Sequence, residues 1–184
     1  MNLVKLINYL YFKYSKRAIV ESDLDIRGFV YIKNNGVISI GSSFVCNSGL
    51  FKNPIGGDSI SRLVTRKGGN ISIGNNVGIS NSTIVSSIGV FISDNVMIGG
   101  GCRIWDTNFH SISPIERKLK NEISIKSRCV YLLDNCFIGA GSIILPGVTV
   151  GVNSIVGAGS VVRVSIPDNE MWAGNPAVKV KNVI

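Results

Sequence analysis

The sequence predicts an all-β protein, a parallel β-helix, and its six-residue repeat is the main reason. Stepping by six from Leu132 reaches an aliphatic residue each time as far as Val162. Glycine accounts for 21 of the 184 residues, and only 16% are charged, against about 25% in an average protein. A period of six fits neither an α-helix nor a simple alternating strand. It fits short strands joined by sharp corners and stacked about 4.8 Å apart, so that aliphatic ladders fill the interior.

The alternative all-β arrangement is a sandwich or barrel of many short strands. Strands in those folds recur about every 8 to 12 residues rather than every six. The run from Leu132 to Val162 keeps one phase, and residues four places after each aliphatic position, such as Ser142, Ser154 and Ser160, are mostly small. The regular phase therefore favours the β-helix.

The repeat divides the chain into consecutive parts. Residues 1–20 form an N-terminal arm with apolar residues at helical spacing, and residues 21–167 carry the repeat. The repeat is imperfect before residue 105 and regular over 130–167. Residues 106–129 lack the period, so we expect a protruding loop there. Residues 168–184 are expected to cap the C-terminal end, since they contain the chain-reversing segment Ala173-Gly174-Asn175-Pro176-Ala177.

The net charge of +8 is compatible with nucleic acid, an anionic membrane surface or a phosphate-bearing small molecule. No zinc-finger spacing, RNA-binding signature or helix-turn-helix pattern accompanies the basic residues, so no nucleic-acid partner is expected. The four cysteines show no C-x-x-C pair, which favours reduced thiols and a cytoplasmic protein. The apolar segment Met1–Phe12 is too short to span a bilayer.

His110 is the only histidine and lies where the repeat breaks into the predicted loop. A lone histidine is often merely structural, but long loops on a rigid scaffold often carry function. An imidazole ordinarily titrates near pH 6.5 and can take a proton from a hydroxyl. Asp106 could orient the ring or could be a turn residue. A zinc site with three histidine ligands is excluded, so no metal is expected.

Three segments resemble the hexapeptide-repeat acyltransferases: Phe137 to Gly151, Ile155 to Val162 and Ala173 to Ala177. The most similar branch is the sugar O-acetyltransferases, which includes maltose and galactoside acetyltransferases and those that modify capsules and O-antigens. The stretch Asp106…His110-Ser111…Pro114…Arg117 resembles the segment that holds this family's catalytic histidine. The resemblance implies a left-handed β-helix, a homotrimer, acetyl-CoA bound between two subunits, and His110 as the general base in direct acetyl transfer.

The resemblance also implies CoA contacts at four positions. Ala140 and Ala158 match small residues that line the pantetheine groove, although corners of a β-helix also require small residues there. Arg163 falls where the family often has threonine followed by lysine, and Val164 replaces that lysine. Lys181 matches a basic residue near the C-terminal cap that contacts the nucleotide phosphates.

We therefore expect an O-acetyltransferase that acts on a sugar hydroxyl of a surface polysaccharide or its precursor. N-acetylation of an amino-sugar nucleotide and a non-catalytic β-helix scaffold remain alternatives. Two roles also remain open for the arm, which could cap the β-helix or touch the inner face of a membrane through residues 1–17. The apolar and basic residues on which the membrane contact would depend are Leu3, Leu6, Ile7, Leu10, Lys5, Lys13, Lys16 and Arg17.

Overall fold

The computed structural model describes residues 3–55 and 59–184, and these wind into a left-handed parallel β-helix of three sheets. The six-residue period is thereby confirmed as a β-helix repeat. Up to the C-terminal hairpin, successive strands enter sheets A, B and C in turn, so each coil of the helix contributes one strand to each sheet. Sheets A and C have six strands each and sheet B has eight, counted over the described residues.

The strands are short and follow one another around the triangular cross-section. Sheet A contains β1 (Ile19–Val20), β4 (Val37–Ile40), β7 (Asn70–Ile73), β10 (Val90–Ile92), β13 (Val130–Leu132) and β16 (Thr149–Val150). Sheet B contains β2 (Asp25–Gly28), β5 (Val45–Ser48), β8 (Gly78–Ser80), β11 (Met97–Ile98), β14 (Phe137–Ile138), β17 (Ile155–Val156), β19 (Glu170–Gly174) and β20 (Ala177–Asn182). Sheet C contains β3 (Tyr31–Asn34), β6 (Arg62–Thr65), β9 (Thr83–Ser86), β12 (Arg103–Trp105), β15 (Ile143–Ile144) and β18 (Val161–Val162).

The parallel register stacks the aliphatic residues of the repeat directly above one another. In sheet C, Ile104 pairs with Ile144, which pairs with Val162, and all three side chains are fully buried. In sheet B, Ile138 pairs with Val156 in the same way. Each such side chain contributes roughly 1.5–3 kcal/mol through removal of its surface from water. The ladders therefore form one continuous core along the helix axis.

The corners between sheets are too tight for a side chain at some positions. A Cβ atom on Gly139 would lie 2.5 Å from the backbone nitrogen of Ala158 and 2.7 Å from the carbonyl oxygen of Val156. Two residues further on, Gly141 has a φ of 72°, a left-handed conformation that glycine adopts without strain. The glycines of the repeat thus allow the chain to turn while neighbouring coils stay in contact.

The N-terminal arm folds over the first coil. It consists of the helix α1 (Leu3–Leu10) followed by a π-helical turn (Tyr11–Ser15). Phe12 is buried in the hydrophobic core, and Asn8 Nδ2 donates a hydrogen bond to the carbonyl oxygen of Ile26 at 3.2 Å. Within the described residues, no helical segment has the length and apolarity that crossing a membrane requires.

The C-terminal end is formed by the hairpin of β19 and β20. Strand β19 extends sheet B by pairing Met171 with Ile155, and β20 runs back antiparallel to it, placing Lys181 opposite Met171. Glu170 fastens the hairpin, since its carboxylate accepts hydrogen bonds from Lys179 Nζ at 2.6 Å and Trp172 Nε1 at 2.7 Å. These two donors, the lysine above all, lower the pKa of Glu170.

Candidate active site

The segment that lacks the six-residue period leaves sheet C after β12 and returns at β13 in sheet A. Its two ends run alongside each other: Asn108 donates its backbone N–H to the carbonyl oxygen of Lys126 at 3.1 Å, and Arg128 donates to Asp106 at 2.8 Å. Between these ends lies the short helix α2 (Pro114–Leu119), whose N-cap is Ser113. Both ends of this catalytic-loop candidate, residues 106–129, lie at the corner between sheets C and A.

His110 lies on this loop and is held by Glu122. The imidazole Nδ1 is 2.9 Å from Glu122 Oε1, and the other carboxylate oxygen accepts the backbone N–H of Ser111 at 2.5 Å. The hydrogen bond from His110, followed by that from Ser111, lowers the pKa of Glu122. Glu122 is therefore an ionised carboxylate at neutral pH and acts only as an acceptor.

An acceptor at Nδ1 determines where the imidazole proton lies. Because the Glu122 carboxylate can only accept, the neutral His110 ring carries its proton on Nδ1 and has a free electron pair on Nε2. Nε2 makes no hydrogen bond within residues 3–55 and 59–184, and 72% of the His110 side chain is exposed. The ring is thus oriented by its own chain and can take a proton from a group outside it.

Asp106 does not contact His110, so the expectation that it orients the ring is corrected by the structure. Its side chain is fully buried, and its two oxygens accept hydrogen bonds from Ser86 Oγ at 2.8 Å and from the backbone N–H groups of residues 87–89 at 2.6–3.0 Å. These donors satisfy a carboxylate that would otherwise be costly to bury. Asp106 therefore fixes the base of the loop to the preceding coil.

Sequence reasoning missed Glu122. It lies 12 residues after His110 in a segment without any period, so its position relative to the ring depends on how the whole loop folds. The only available signal was its chemistry, since a carboxylate in the same loop as a lone histidine is a candidate to hold it.

A second group of hydrogen bonds fixes the segment beside His110. Glu116 accepts from the backbone N–H of Ser124 at 3.1 Å and from its Oγ at 2.7 Å, contacts that lower the pKa of Glu116. Ser124 Oγ is also 2.8 Å from Ser111 Oγ, and Arg117 Nη1 donates to the carbonyl oxygens of Ser111 at 2.5 Å and Ile112 at 2.8 Å. The loop is therefore organised by side-chain contacts rather than by a hydrophobic core.

The four predicted CoA-binding residues lie on the coils that follow the loop. Ala140 and Ala158 occupy the corner after sheet B in successive coils, where the N–H of Gly159 donates to the carbonyl oxygen of Ala140 at 2.8 Å. Arg163 directly follows β18, and Lys181 lies on β20; both side chains are exposed. The two alanines thus form a column of small residues that leaves the backbone accessible.

A surface groove adjoins this column on the outer face of sheet B. Its volume is about 440 Å³, which is in the range of small-molecule sites. One wall is formed by strand residues that include Met97, Phe137 and Ala140, and the other by Asn53 and Ile55 of the connection between β5 and β6. The sequence indicated only that the repeat is imperfect before residue 105, so the contribution of this connection to a groove is new.

One chain does not bring all of these features together. The His110 loop joins sheet C to sheet A, whereas the alanine column lies at the corner between sheets B and C and the groove on sheet B. The loop and the column therefore flank opposite edges of sheet C. Across residues 3–55 and 59–184, no three histidine, cysteine, aspartate or glutamate side chains cluster closely enough to hold a metal ion.

Comparison with known proteins places this architecture in a family. A family model described as the hexapeptide repeat of succinyl-transferase matches residues 134–163. A putative lipopolysaccharide biosynthesis O-acetyl transferase, WbbJ of Escherichia coli, is 31% identical over 162 residues, which cover 85% of this chain and 77% of that protein. The galactoside O-acetyltransferase of Lactococcus lactis is 40% identical over 103 residues, covering 56% of this chain and 48% of the relative. The chain thus belongs to the hexapeptide-repeat acyltransferases, and its matches span about half the length of the galactoside enzymes.

Solved structures extend the comparison to the whole fold. A galactoside acetyltransferase in complex with coenzyme A is 28% identical with a TM-score of 0.61, covering 90% of this chain and 65% of that one. AntD, an N-acyltransferase from Bacillus cereus in complex with dTDP and 3-hydroxybutyryl-CoA, has a TM-score of 0.73 at 22% identity, covering 99% and 88%. At 22% identity, the similarity to AntD shows the fold alone.

Proposed function

We propose that the protein is an acetyl-CoA-dependent O-acetyltransferase that acts on a sugar hydroxyl, with His110 as the general base. The observation that carries this proposal is the His110–Glu122 pair on the exposed loop. This pair provides an imidazole in a defined tautomer. The family to which the protein belongs supplies the reaction class. General-base catalysis of this kind contributes about 10²–10⁴-fold to a rate.

The proposed chemistry uses the His110–Glu122 pair, backbone N–H groups and the two substrates. His110 Nε2 removes the proton from the acceptor hydroxyl while the hydroxyl oxygen attacks the carbonyl carbon of the thioester. The tetrahedral intermediate collapses by breaking the C–S bond, and the imidazolium returns the proton to the departing CoA sulfur. Glu122 keeps Nδ1 protonated throughout and stabilises the transient cation. Backbone N–H groups would stabilise the oxyanion, as they do in acyl transfer generally.

The CoA part of the proposal depends on the column of small residues and on the two exposed basic side chains. Ala140 and Ala158 would let the pantetheine arm approach the backbone, and Arg163 and Lys181 would attract the phosphates of CoA. The coenzyme A bound to a related galactoside acetyltransferase supports this assignment.

A complete site would need more than one copy of the chain. Because the His110 loop and the alanine column flank opposite edges of sheet C, the loop of one protomer would meet the column of a neighbour. A homotrimer achieves this three times by rotational symmetry, since each protomer offers one loop and one column.

The acceptor class is proposed from a relative that matches over 162 residues. WbbJ carries the name of a putative lipopolysaccharide biosynthesis enzyme, and it is covered over most of its length. A surface polysaccharide or its precursor would therefore present the hydroxyl that is acetylated.

The proposal is tested by thiol release from acetyl-CoA with a panel of galactosides, other sugars and amino-sugar nucleotides. His110→Ala should reduce turnover on a hydroxyl acceptor by at least about 100-fold while CoA binding, measured by calorimetry, is unchanged. Lys118→Ala, on the exposed tip of the same loop, is the matched control and should retain wild-type turnover.

Three results would contradict the proposal. Wild-type turnover in the His110→Ala variant would exclude His110 as the general base. Turnover with amino-sugar nucleotides alone would make the protein an N-acetyltransferase. A wild-type protein that neither turns over nor binds CoA would favour a non-catalytic scaffold.

A further inference from the structure

The N-terminal arm leaves a group of large apolar side chains uncovered. Phe12 enters the core, but residues on the other sides of the arm and on the first coil are solvent-exposed. We call this group the apolar rim; its members, with their exposed fractions, are Leu6 (38%), Ile7 (55%), Leu10 (43%), Tyr14 (68%) and Phe29 (55%). Contiguous exposed apolar side chains usually mark an interaction surface.

A cationic cleft lies beside this rim. Its volume is about 430 Å³, and its lining residues are Lys16, Arg17, Tyr31, Ile32, Lys33 and Asn34. Asn34 Nδ2 donates to the carbonyl oxygens of Lys16 at 3.1 Å and Arg17 at 3.3 Å, which fastens the end of the arm to β3. Three positive side chains are thereby held around one cavity.

The charges of the cleft are not balanced locally. None of its lining residues is acidic, and Lys16, Arg17 and Lys33 take part in no ion pair within the described part of the chain. Two acidic groups of the first coil are engaged elsewhere: Asp25 pairs with Arg27 at 2.7 Å, and Glu21 accepts a hydrogen bond from Ser42 Oγ at 3.1 Å.

Aromatic rings connect the rim to the cleft. The Phe29 ring of the rim is 6.1 Å from the Tyr11 ring, and Lys16 Nζ of the cleft lies 5.3 Å from the centroid of that same tyrosine. Lys13 Nζ is 5.2 Å from the Tyr9 centroid. Tyrosine and lysine beside an exposed apolar helix are the composition of segments that lie in a membrane interface.

The geometry points to a docking surface for an anionic lipid bilayer, with the cationic cleft receiving a phosphate headgroup and the apolar rim entering the interfacial region. This inference concerns where the protein works and stands whether or not His110 is catalytic. A second copy of the chain fits the surface poorly, because a symmetric end-to-end contact would bring two cationic clefts together. A free phosphate would fill the cleft but would leave the rim without a role.

The test is flotation of the full-length protein with phosphatidylcholine vesicles that contain or lack phosphatidylglycerol. We expect binding to the anionic vesicles, weaker binding to the neutral ones, and release by salt. A protein that stays unbound in the presence of anionic vesicles would overturn the inference.

Two variants separate the contribution of the cationic cleft to vesicle binding from that of the apolar rim. Lys16→Gln/Arg17→Asn/Lys33→Gln should weaken binding by about 100-fold, since each cation near an anionic surface contributes about a factor of five. Asparagine is chosen at Arg17 because that residue has a φ of 52°, which asparagine tolerates. Ile7→Ser/Phe29→Ser should weaken binding by roughly tenfold or more through lost apolar burial.

The matched control removes three charges from the loop by Lys118→Gln/Lys120→Asn/Lys126→Gln. Lys120 also has a positive φ, of 54°, so the control reproduces both the charge change and the backbone constraint. It should bind nearly as well as the wild type, and circular dichroism should show that every variant is folded. Equal losses in the cleft variant and the control would overturn the inference in favour of unspecific attraction by net charge.

Calorimetry with inorganic phosphate and a concentration series in gel filtration address the other occupants. Phosphate that binds the cleft of a protein that does not bind anionic vesicles would assign the cleft to a free anion. Self-association that is lost in Ile7→Ser/Phe29→Ser, without vesicle binding, would assign the rim to a second copy. Either result would contradict the docking surface.

Discussion

The His110 loop and the coils directly after it are consecutive in sequence and are stabilised in opposite ways. Residues 130–167 repeat one contact many times, with aliphatic side chains such as Ile138 and Ile144 buried in register. The loop helix α2 has no buried residue. The loop depends instead on individual hydrogen bonds, each made by a different pair of groups. Stability is therefore shared among equivalent contacts in the coils, whereas the site depends on individual side chains.

The largest effect on stability is expected in the coils. Ile144→Ala should lower the free energy of unfolding by about 2–5 kcal/mol, because it leaves a cavity in a fully buried ladder. The control Ile115→Ala, on the exposed loop helix, should change it by no more than about 0.5 kcal/mol. Denaturant unfolding at fixed protein concentration measures both, and equal losses would show that the loop shares the core of the coils.

The junction between the two regions depends on Asp106. Asp106→Asn should lower the free energy of unfolding by about 1–3 kcal/mol, because an amide nitrogen would face the backbone donors of residues 87–89. The turnover of the folded variant should fall less than that of a Glu122 variant. A large loss of kcat at unchanged stability would instead restore Asp106 as a partner of His110.

A pair of glycines tests how tightly the coils are stacked. Gly139→Ala should destabilise the protein by about 1–3 kcal/mol, since the new methyl group would overlap the backbone of Ala158. Gly78→Ala meets no atom within 4 Å and should be neutral or stabilising by up to about 1 kcal/mol. Thermal unfolding compares the two variants, and similar behaviour would mean that the coils relax around an added side chain.

Acid should loosen the loop before the coils, although the effect is local and small. The pKa values of Glu116 and Glu122 are lowered by hydrogen bonds, so their contribution to loop order is complete above their ordinary value of 4.5. It is lost as the pH falls through the lowered values. Amide hydrogen exchange between about pH 6 and about pH 3, corrected for intrinsic rates, should show protection lost in residues 110–124 but kept in 130–167. Parallel loss in both regions would contradict this separation.

The same contrast explains what the sequence could predict. The aliphatic ladder from Leu132 to Val162 was recognisable because each coil repeats the requirement for an inward-pointing residue. His110 was recognisable because the period stops beside it. Its partner was not, because Glu122 reaches the ring only after the loop has folded around α2.

The N-terminal arm illustrates the same limit. The helical spacing of apolar residues in the arm was evident from the sequence, but the spacing does not show which of those residues are buried. The structure leaves Ile7 and Leu10 of that set exposed and buries Phe12, which lies outside the set, in the core. The curvature of the chain over the first coil decides this, and no repeat encodes it.

We propose that Glu122 sets the tautomer of the His110 imidazole, and the kcat of Glu122→Gln measures the consequence. Glutamine can donate to Nδ1 and so allow the ring proton to lie on Nε2, where it blocks proton removal. We predict that kcat falls by at least about 10-fold, a part of the roughly 10²–10⁴-fold that a general base contributes, while KM for acetyl-CoA, the unfolding midpoint and the activity of the control Glu21→Gln remain unchanged. A variant that retains wild-type kcat would contradict the claim.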